Sequence, residues 1–477
     1  MGSFAHLSEL RSLQNTLNQA IDAFEQERCS LDLPELSTYT SDPHPLDDLN
    51  FLPSTSLFAA RRTALACIGQ LKVLLQSPYE KVVEQSCAVY DTACLDIFVR
   101  GGLVDELATP DALLNGRSID ELHQALDLSP KRISVIFRLL AAQGWLREVT
   151  ENTFVLNRPA LQLRRGSCGR TWSLTPGKPK VASSLLDFVT QGEWKYSVSP
   201  AETAFQISHG TSDTLFQYLA RNPDQFEQWS ASVRTYGDAC HLALMEDYPW
   251  HKLTQKTIVD CGAGLGSLVE SLVKLPCLSD CNFVAQDLPQ ITPSTTSNLN
   301  RSCEDLLSSR RITIESYDFF SPQQRAAGAV IILKHILHNW PDHDCVRILQ
   351  NAALEADPET KILIIDNVVL PSTVSGSPHA LQDGGAESRK DSLPEFLPRN
   401  YGAAAKASLA LGVHMMGVFN GHERTLAQWE AIAERSGLHI DMVYHVRAPD
   451  SVIECSLGSG TRMQNSAGEP RATRPVS

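Results

Sequence analysis

Four turns in the second half of this chain carry residues whose types and spacing could do chemistry. The first, Val259-Asp260-Cys261-Gly262-Ala263-Gly264-Leu265-Gly266, ends a β-branched run and opens an apolar helical one. Glycines at alternate positions let the backbone turn sharply and bring main-chain N–H groups close to a ligand. A dinucleotide fingerprint would put its third glycine three residues after Gly264, where Ser267 stands. On this run alone, a tight strand-to-helix turn without a ligand stays open. In the second turn, Ala285-Gln286-Asp287-Leu288-Pro289, a carboxylate 27 residues after Asp260 is suited to accept hydrogen bonds from a ribose diol. A solvated aspartate is the competing reading. The third, Tyr317-Asp318-Phe319-Phe320, pairs an acid with aromatic surface that could meet the amine and face of an adenine, or else caps a local helix through Asp318. The fourth holds Lys334-His335-Ile336-Leu337-His338-Asn339-Trp340-Pro341-Asp342. An imidazole such as His338 at a strand end titrates in the range useful for taking a proton from a phenol, although a lone histidine is more commonly structural or exposed. His335, His338 and His343 lack the glutamate and the i, i+4 pair of a zinc-protease motif, so no metal is expected.

These turns need strands and helices to hold them. Strand candidates are Thr257 to Cys261, Asn282 to Gln286, Arg311 to Ser316, Ala329 to Lys334, Lys361 to Asp366, His439 to Val446 and Ser451 to Ser456. Their alternation with helical segments predicts an open, mainly parallel α/β sheet, whose ligands bind at the carboxyl ends of strands. Upstream, a helix to about Cys29 precedes a Pro- and Asp-rich loop, Thr40 to Pro53. In Leu57 to Gln76 the residues Leu57, Ala60, Ala64, Ile68, Leu71 and Leu75 fall on one stripe that asks for a partner surface. Ser118 and Glu121 form a capping box for a helix through Leu126, Ser129-Pro130 opens another that stops at Gly144, and Phe154 to Leu156 offers a strand. That is the outline of a winged helix. With four acidic and four basic residues between Ser118 and Thr150, it has no electrostatic footprint for DNA. The aromatics from Phe205 to Tyr236 either wall a flat pocket or form helix core. Pro371 to Asn400 reads as a long loop and Gly458 to Ser477 as a disordered tail.

Composition sets outer limits. Among 477 residues, 43% hydrophobic and 20% charged exclude a wholly disordered or fibrous chain. A net charge of −14 repels nucleic acid and anionic membrane surfaces. Twelve cysteines without C-x-x-C pairs predict free thiols in a reducing compartment. The N-terminus has neither the basic start nor the apolar run of a secretion signal, and the helical candidate Leu57 to Gln76 is too charged to span a bilayer. A cytoplasmic location is expected.

The ordered set VDCGAGLG, AQDLP, YDFF, LKHILHNWPD and NGHERT resembles the S-adenosylmethionine-dependent O-methyltransferases of the plant caffeate and flavonoid type. It is most similar to their fungal relatives that methylate aromatic polyketides, the sterigmatocystin O-methyltransferase group. The likeness runs from about Leu57 to Leu457 and takes in ARRTAL, LLQSPYE and ETAFQISHGT. It implies a Rossmann-like seven-stranded sheet in residues 191–458, with an insertion at 371–400. Ahead of it would lie a mostly helical winged-helix dimerisation domain in 57–190 and a helix and loop in 1–56, with a disordered tail in 459–477 behind. It further implies that Asp260, Gly262, Gly264 and Gly266 line the methionine and ribose portion of S-adenosylmethionine, that Asp287 holds the ribose hydroxyls, that Asp318 and Phe319 contact the adenine, and that Lys334 approaches the cofactor. His338 would be the general base for methylation of a phenolic hydroxyl, flanked by Glu423 and by Asp366, the latter chosen over Asn367. The chain would act as a homodimer. Asn339 stands where the plant pattern has Asp, which predicts a less basic imidazole. Two rival readings are a catalytically weak, methyltransferase-like dimerisation partner and an NAD-dependent oxidoreductase, the second disfavoured by the glycine spacing.

Overall fold

The computed structural model describes residues 8–372 and 393–458; the expected tail at 459–477 lies outside them. Side-chain caps fix the N-terminal helices. The Ser8 hydroxyl accepts from the Arg11 N–H at the head of Glu9–Ser30, the Ser54 hydroxyl does the same for Thr55–Leu75, and Ser77 with Glu80 makes a capping box for Pro78–Arg100. The stripe expected on Thr55–Leu75 is only partly buried. Leu57 and Ala60 are covered, but Ile68 and Leu75 are 50% and 71% exposed, while Ala66 and Cys67 are buried instead. The cause is where its neighbours lie. Helix Glu9–Ser30 covers one side, and the turn Gly402–Ala405 presses in at Gly69, where an added Cβ would stand 2.4 Å from that of Ala403.

The winged helix forms as its punctuation predicts. Strand β1 (Arg117–Ser118) pairs antiparallel with β3 (Thr153–Leu156), which pairs with β2 (Leu146–Thr150). Between β1 and β2 lie helices Ile119–Leu126, opened by the Ser118–Glu121 capping box, and Pro130–Ala142. Phe98, Phe137 and Phe154 meet edge to face in its core. The aromatic stretch that follows becomes helices Ala204–His209, Leu215–Arg221 and Pro223–Asp247. Phe205 is buried in a cluster with Val181, Phe188, Met415, Val418 and Phe419, and Tyr218, Phe226 and Trp229 pack against it partly buried.

The strand candidates all form, to within a residue at their ends. They are β4 (Thr257–Cys261), β5 (Asn282–Asp287), β6 (Ile312–Ser316), β7 (Ala329–Lys334), β8 (Lys361–Asp366), β11 (Leu438–His445) and β12 (Ser451–Leu457). A separate two-stranded pair joins β9 (Val368–Val369) to β10 (Arg424–Thr425). The seven-stranded order is β11-β12-β8-β7-β4-β5-β6, with β12 antiparallel to both neighbours and every other pair parallel. Alternate residues feed two cores: Val259, Ile331 and Ile364 on one face, Ile258, Val330 and Leu363 on the other. This double burial explains why the strands read as continuous apolar runs. The chain leaves β4 toward β5 and β6, then returns to place β7 on β4's other side. The carboxyl ends of β4 and β7 therefore diverge and leave a crevice, the usual ligand position in such sheets.

Within the expected loop at 371–400, residues 373–392 lie outside the described ones, while 393–400 are packed. Leu397 is buried beside Leu13 and Ala66, and the Arg399 N–H donates to Ser372 O at 3.2 Å, closing the base of the insertion. One helix among the described residues, Gly402–Phe419, is long and apolar enough to cross a membrane by length and composition alone, a segment the sequence reading passed over. Its last turn is buried against Val181 and Ala204. The cysteines are free thiols.

Candidate active site

The chain leaves β7 through His335, a non-glycine residue at φ +55°, held there because its N–H donates to Ile365 O at 2.9 Å and its own carbonyl accepts from the Asn339 side-chain amide at 3.0 Å. This left-handed step starts the short turn Leu337–Asn339, which delivers His338 over the end of the sheet. His338 Nδ1 lies 2.9 Å from Glu423 Oε1 and 3.7 Å from Asp366 Oδ1. Asp366 ends β8 and Glu423 precedes β10, so three separate elements supply the cluster. Asp366, and not Asn367, faces the ring. Gly421 permits the close approach of Glu423's segment, since a Cβ there would lie 2.0 Å from His338 O. Arg424, wholly buried, fastens the same contact by donating to Leu337 O at 3.0 Å, Trp340 O at 2.6 Å and Asp342 Oδ1 at 2.9 Å.

The electrostatics follow from burial. Desolvation opposes charge on His338, but Asp366 and Glu423 outweigh it and raise its pKa to about 9. Asn339 spends its amide on His335 O at 3.0 Å. Burial, with Glu423 nearby, pushes Asp366 up to about 7 despite His338. Neither Asp366 oxygen has a hydrogen-bond donor among the described residues, and Glu423 Oε2 has none either. Because both carboxylates sit at Nδ1, Nε2 is the nitrogen available to a substrate hydroxyl.

Across the crevice, Gly262 and Gly264 have φ of +81° and +55°. A Cβ at Gly262 would strike Ile336 at 2.4 Å, whereas one at Gly264 would meet nothing within 4 Å and would project into open space. Gly266 is packed against Leu299 instead. Asp287 Oδ2 accepts from the Gly264 N–H and Oδ1 from the Leu288 N–H, both at 2.7 Å, while burial holds its pKa above the usual range. Asp260 is buried at the end of β4, pushed up to about 7 by desolvation against the pull of Lys334. Asp318 accepts from the Phe320 N–H at 2.9 Å in a turn that no helix follows, and the Phe319 ring turns toward Phe320 and Trp340.

Three neighbours, His335, Asp450 and Trp172, were not foreseen as site residues. His335 stacks on His338 with ring centroids 5.5 Å apart, and its Nε2 meets both oxygens of Asp450, from the β11–β12 hairpin, at 2.9 and 3.0 Å. Tyr236 lies between His335 and Trp172, at 5.5 and 5.2 Å. No local spacing announces Asp450 or Trp172, and His335 was weighed only as a metal ligand, whereas Tyr236 closes the aromatic stretch read as a possible pocket wall.

A family model for the O-methyltransferase domain matches residues 184–383, across β4 to β8 and the acid-flanked histidine. O-methyltransferase tpcA of Aspergillus fumigatus is 26% identical, over 85% of this chain and 88% of its own. O-methyltransferase fsr2 of Gibberella fujikuroi is 30% identical, over 79% of this chain and 90% of its own. This chain belongs to the S-adenosylmethionine-dependent O-methyltransferases of fungal secondary metabolism. Among solved structures, that of LepI in complex with S-adenosylmethionine superposes with a TM-score of 0.64 at 22% identity, over 85% of this O-methyltransferase and 95% of LepI, a likeness of fold. The residues at the crevice suit the cofactor: a glycine turn with open space before Gly264, acids at the ends of β4 and β5, and Lys334 beside them.

Proposed function

We propose that this enzyme methylates a phenolic hydroxyl of an aromatic, polyketide-type metabolite, with His338 as general base. The observation that carries the reading is the His338 ring held at Nδ1 by two buried carboxylates, with Nε2 left for the acceptor. S-adenosylmethionine, when bound, supplies a methyl group already activated as an electrophile. The protein's remaining task is placement and proton removal. Glu423, acceptor-only when ionised, fixes the Nδ1–H tautomer and so leaves the Nε2 lone pair to take the phenol proton. Asp366 and Glu423 then stabilise the imidazolium. A base near 9 is well matched to a phenol near pKa 10, so proton transfer is close to balanced. In this reading Asp287 holds the ribose hydroxyls and Asp318 the adenine amine, while Asp260, Gly262, Gly264 and Lys334 surround the amino-acid arm. Gly266 keeps the turn tight, and Phe319 supports the adenine side through Trp340. The same reading makes the enzyme a homodimer of a reducing, cytoplasmic setting.

The test is incubation with methyl-labelled cofactor and a panel of hydroxylated anthraquinones, xanthones and simple phenols, followed by mass measurement. His338→Ala is expected to abolish transfer while retaining cofactor affinity. Undiminished turnover in that variant removes the base assignment. Absence of turnover by the native enzyme across the panel favours the weak dimerisation partner instead.

A further inference from the structure

At the crevice between β4 and β7 three side chains form a continuous hydrogen-bonded line. Both Asp450 oxygens face His335 Nε2, so this nitrogen carries the hydrogen that the carboxylate accepts. His335 Nδ1 is thereby left as an acceptor, 3.2 Å from Lys334 Nζ. Asp450 is 1% exposed and comes from a hairpin 115 residues away, and His335 keeps a left-handed backbone that a side chain rarely adopts. Such an arrangement is not what a merely space-filling position needs, since an aliphatic residue would fill the interior without a buried charge.

The line ends on an ammonium in acid-rich surroundings. Lys334 Nζ lies against Gly237 of helix Pro223–Asp247, and its charge is felt by Asp260 at the tip of β4 and by Asp238 and His241 on that helix. A lysine stem is long and flexible, and anchoring it in one direction lowers the rotamer freedom lost when an anion binds. Asp287 and Asp318 stand on the other side of β4, at the ends of β5 and after β6. A cofactor whose nucleoside end lies there sends its amino-acid arm back toward β7.

We propose that Asp450 and His335 are positioning residues that aim the Lys334 ammonium at the carboxylate of the cofactor's amino-acid arm. The proposal rests on the reading that places the nucleoside end at Asp287. Stacked on His338, the same imidazole also joins the cofactor side of the crevice to the acceptor side.

The experiment compares calorimetric binding of S-adenosylhomocysteine with that of 5′-methylthioadenosine, which keeps the nucleoside and sulfur but lacks the amino-acid arm. Lys334→Met is expected to weaken the first by about tenfold or more, and His335→Ala and Asp450→Asn by about three- to tenfold each, as for loss of charge-assisted hydrogen bonds. The double variant His335→Ala/Lys334→Met should match Lys334→Met within about twofold, because the imidazole acts through the lysine. Methylthioadenosine affinity should stay within about twofold of native in all of them. Unchanged homocysteine-ligand affinity in His335→Ala and Asp450→Asn, an equal loss for both ligands, or additivity in the double variant would each overturn the proposal. Asp287→Ala tests the underlying reading separately: it should weaken both ligands, and unchanged methylthioadenosine binding there refutes the nucleoside placement without touching the Lys334 result.

Discussion

His338, Asp366 and Glu423 bury more negative charge than their hydrogen bonds satisfy, and both function and stability register it. If His338 must lose its proton to act, kcat/KM should rise with pH through a midpoint near 9. Glu423→Gln removes one of the carboxylates that hold the imidazolium, so the rising limb should shift to lower pH and the plateau rate should fall by about 10- to 100-fold. A pH–rate series on native and variant enzyme decides it, and an unmoved limb would show that another group titrates. Stability runs the other way. Asp366 and Asp260 have folded pKa values raised from 3.8 to about 7, and His338 from 6.5 to about 9. A raised value means the fold binds the proton more tightly. The stability these groups lend is complete below their unfolded pKa values and is lost as pH rises, through about 7 for the aspartates and about 9 for the histidine. Asp366→Asn removes an ionisable carboxyl with no donor to either oxygen. It should raise Tm at pH 8 by about 2–4 °C, with a smaller gain at pH 5, while lowering turnover. Scanning calorimetry at the two pH values checks the sign.

The site is assembled from elements that meet only in three dimensions, which decides what could be read in advance. The turns after β4, β5 and β7 were legible because each is local: a β-branched run ending in glycines, an acid or a histidine. The capping box at Ser118 was equally local. Periodicity located the helix Thr55–Leu75 but could not say which face meets a neighbour. Hence the stripe through Ile68 could be read only as one that asks for some partner surface, and Phe205 and Tyr236 alike were left between core and pocket wall. Asp450 sits in an ordinary hairpin, and only the antiparallel return of β12 beside β8 brings it to His335. Arg424 and Gly421 were visible within NGHERT, yet their work is to clamp one loop on another. Gly421→Ala must displace the His338 backbone and so carry Glu423 away from Nδ1. The expected result is a loss in kcat of about 100-fold with a smaller change in cofactor affinity. Loss of both together, with a collapsed Tm, would mean the glycine serves the fold and not the site.

Taken alone, the molecule leaves an apolar face uncovered. Ile68 and Leu75 on Thr55–Leu75, and Tyr79, Val82, Val89 and Tyr90 on Pro78–Arg100, are each at least 50% exposed. Large exposed apolar patches mark protein–protein contacts, so these residues are where a second copy would dock. A two-fold axis is the simplest closure, since one self-complementary patch then serves both subunits. The consequence reaches the active site. Gly402–Ala405 lies on Thr55–Leu75, and the helix it leads into, Lys406–Phe419, presents Gly412 to the Glu423 side chain while Leu409 and Val413 stay exposed. If a second copy covers the N-terminal face, as proposed, it would steady the helix that backs Glu423. Val82→Glu with Val89→Glu places four charges across a two-fold interface without touching the core of either subunit. By sedimentation at micromolar concentration, the native enzyme should run at twice the chain mass and the variant at the chain mass, with turnover reduced and S-adenosylhomocysteine affinity retained. A native monomer, or a variant that stays paired, would remove the homodimer and with it this route from subunit contact to Glu423.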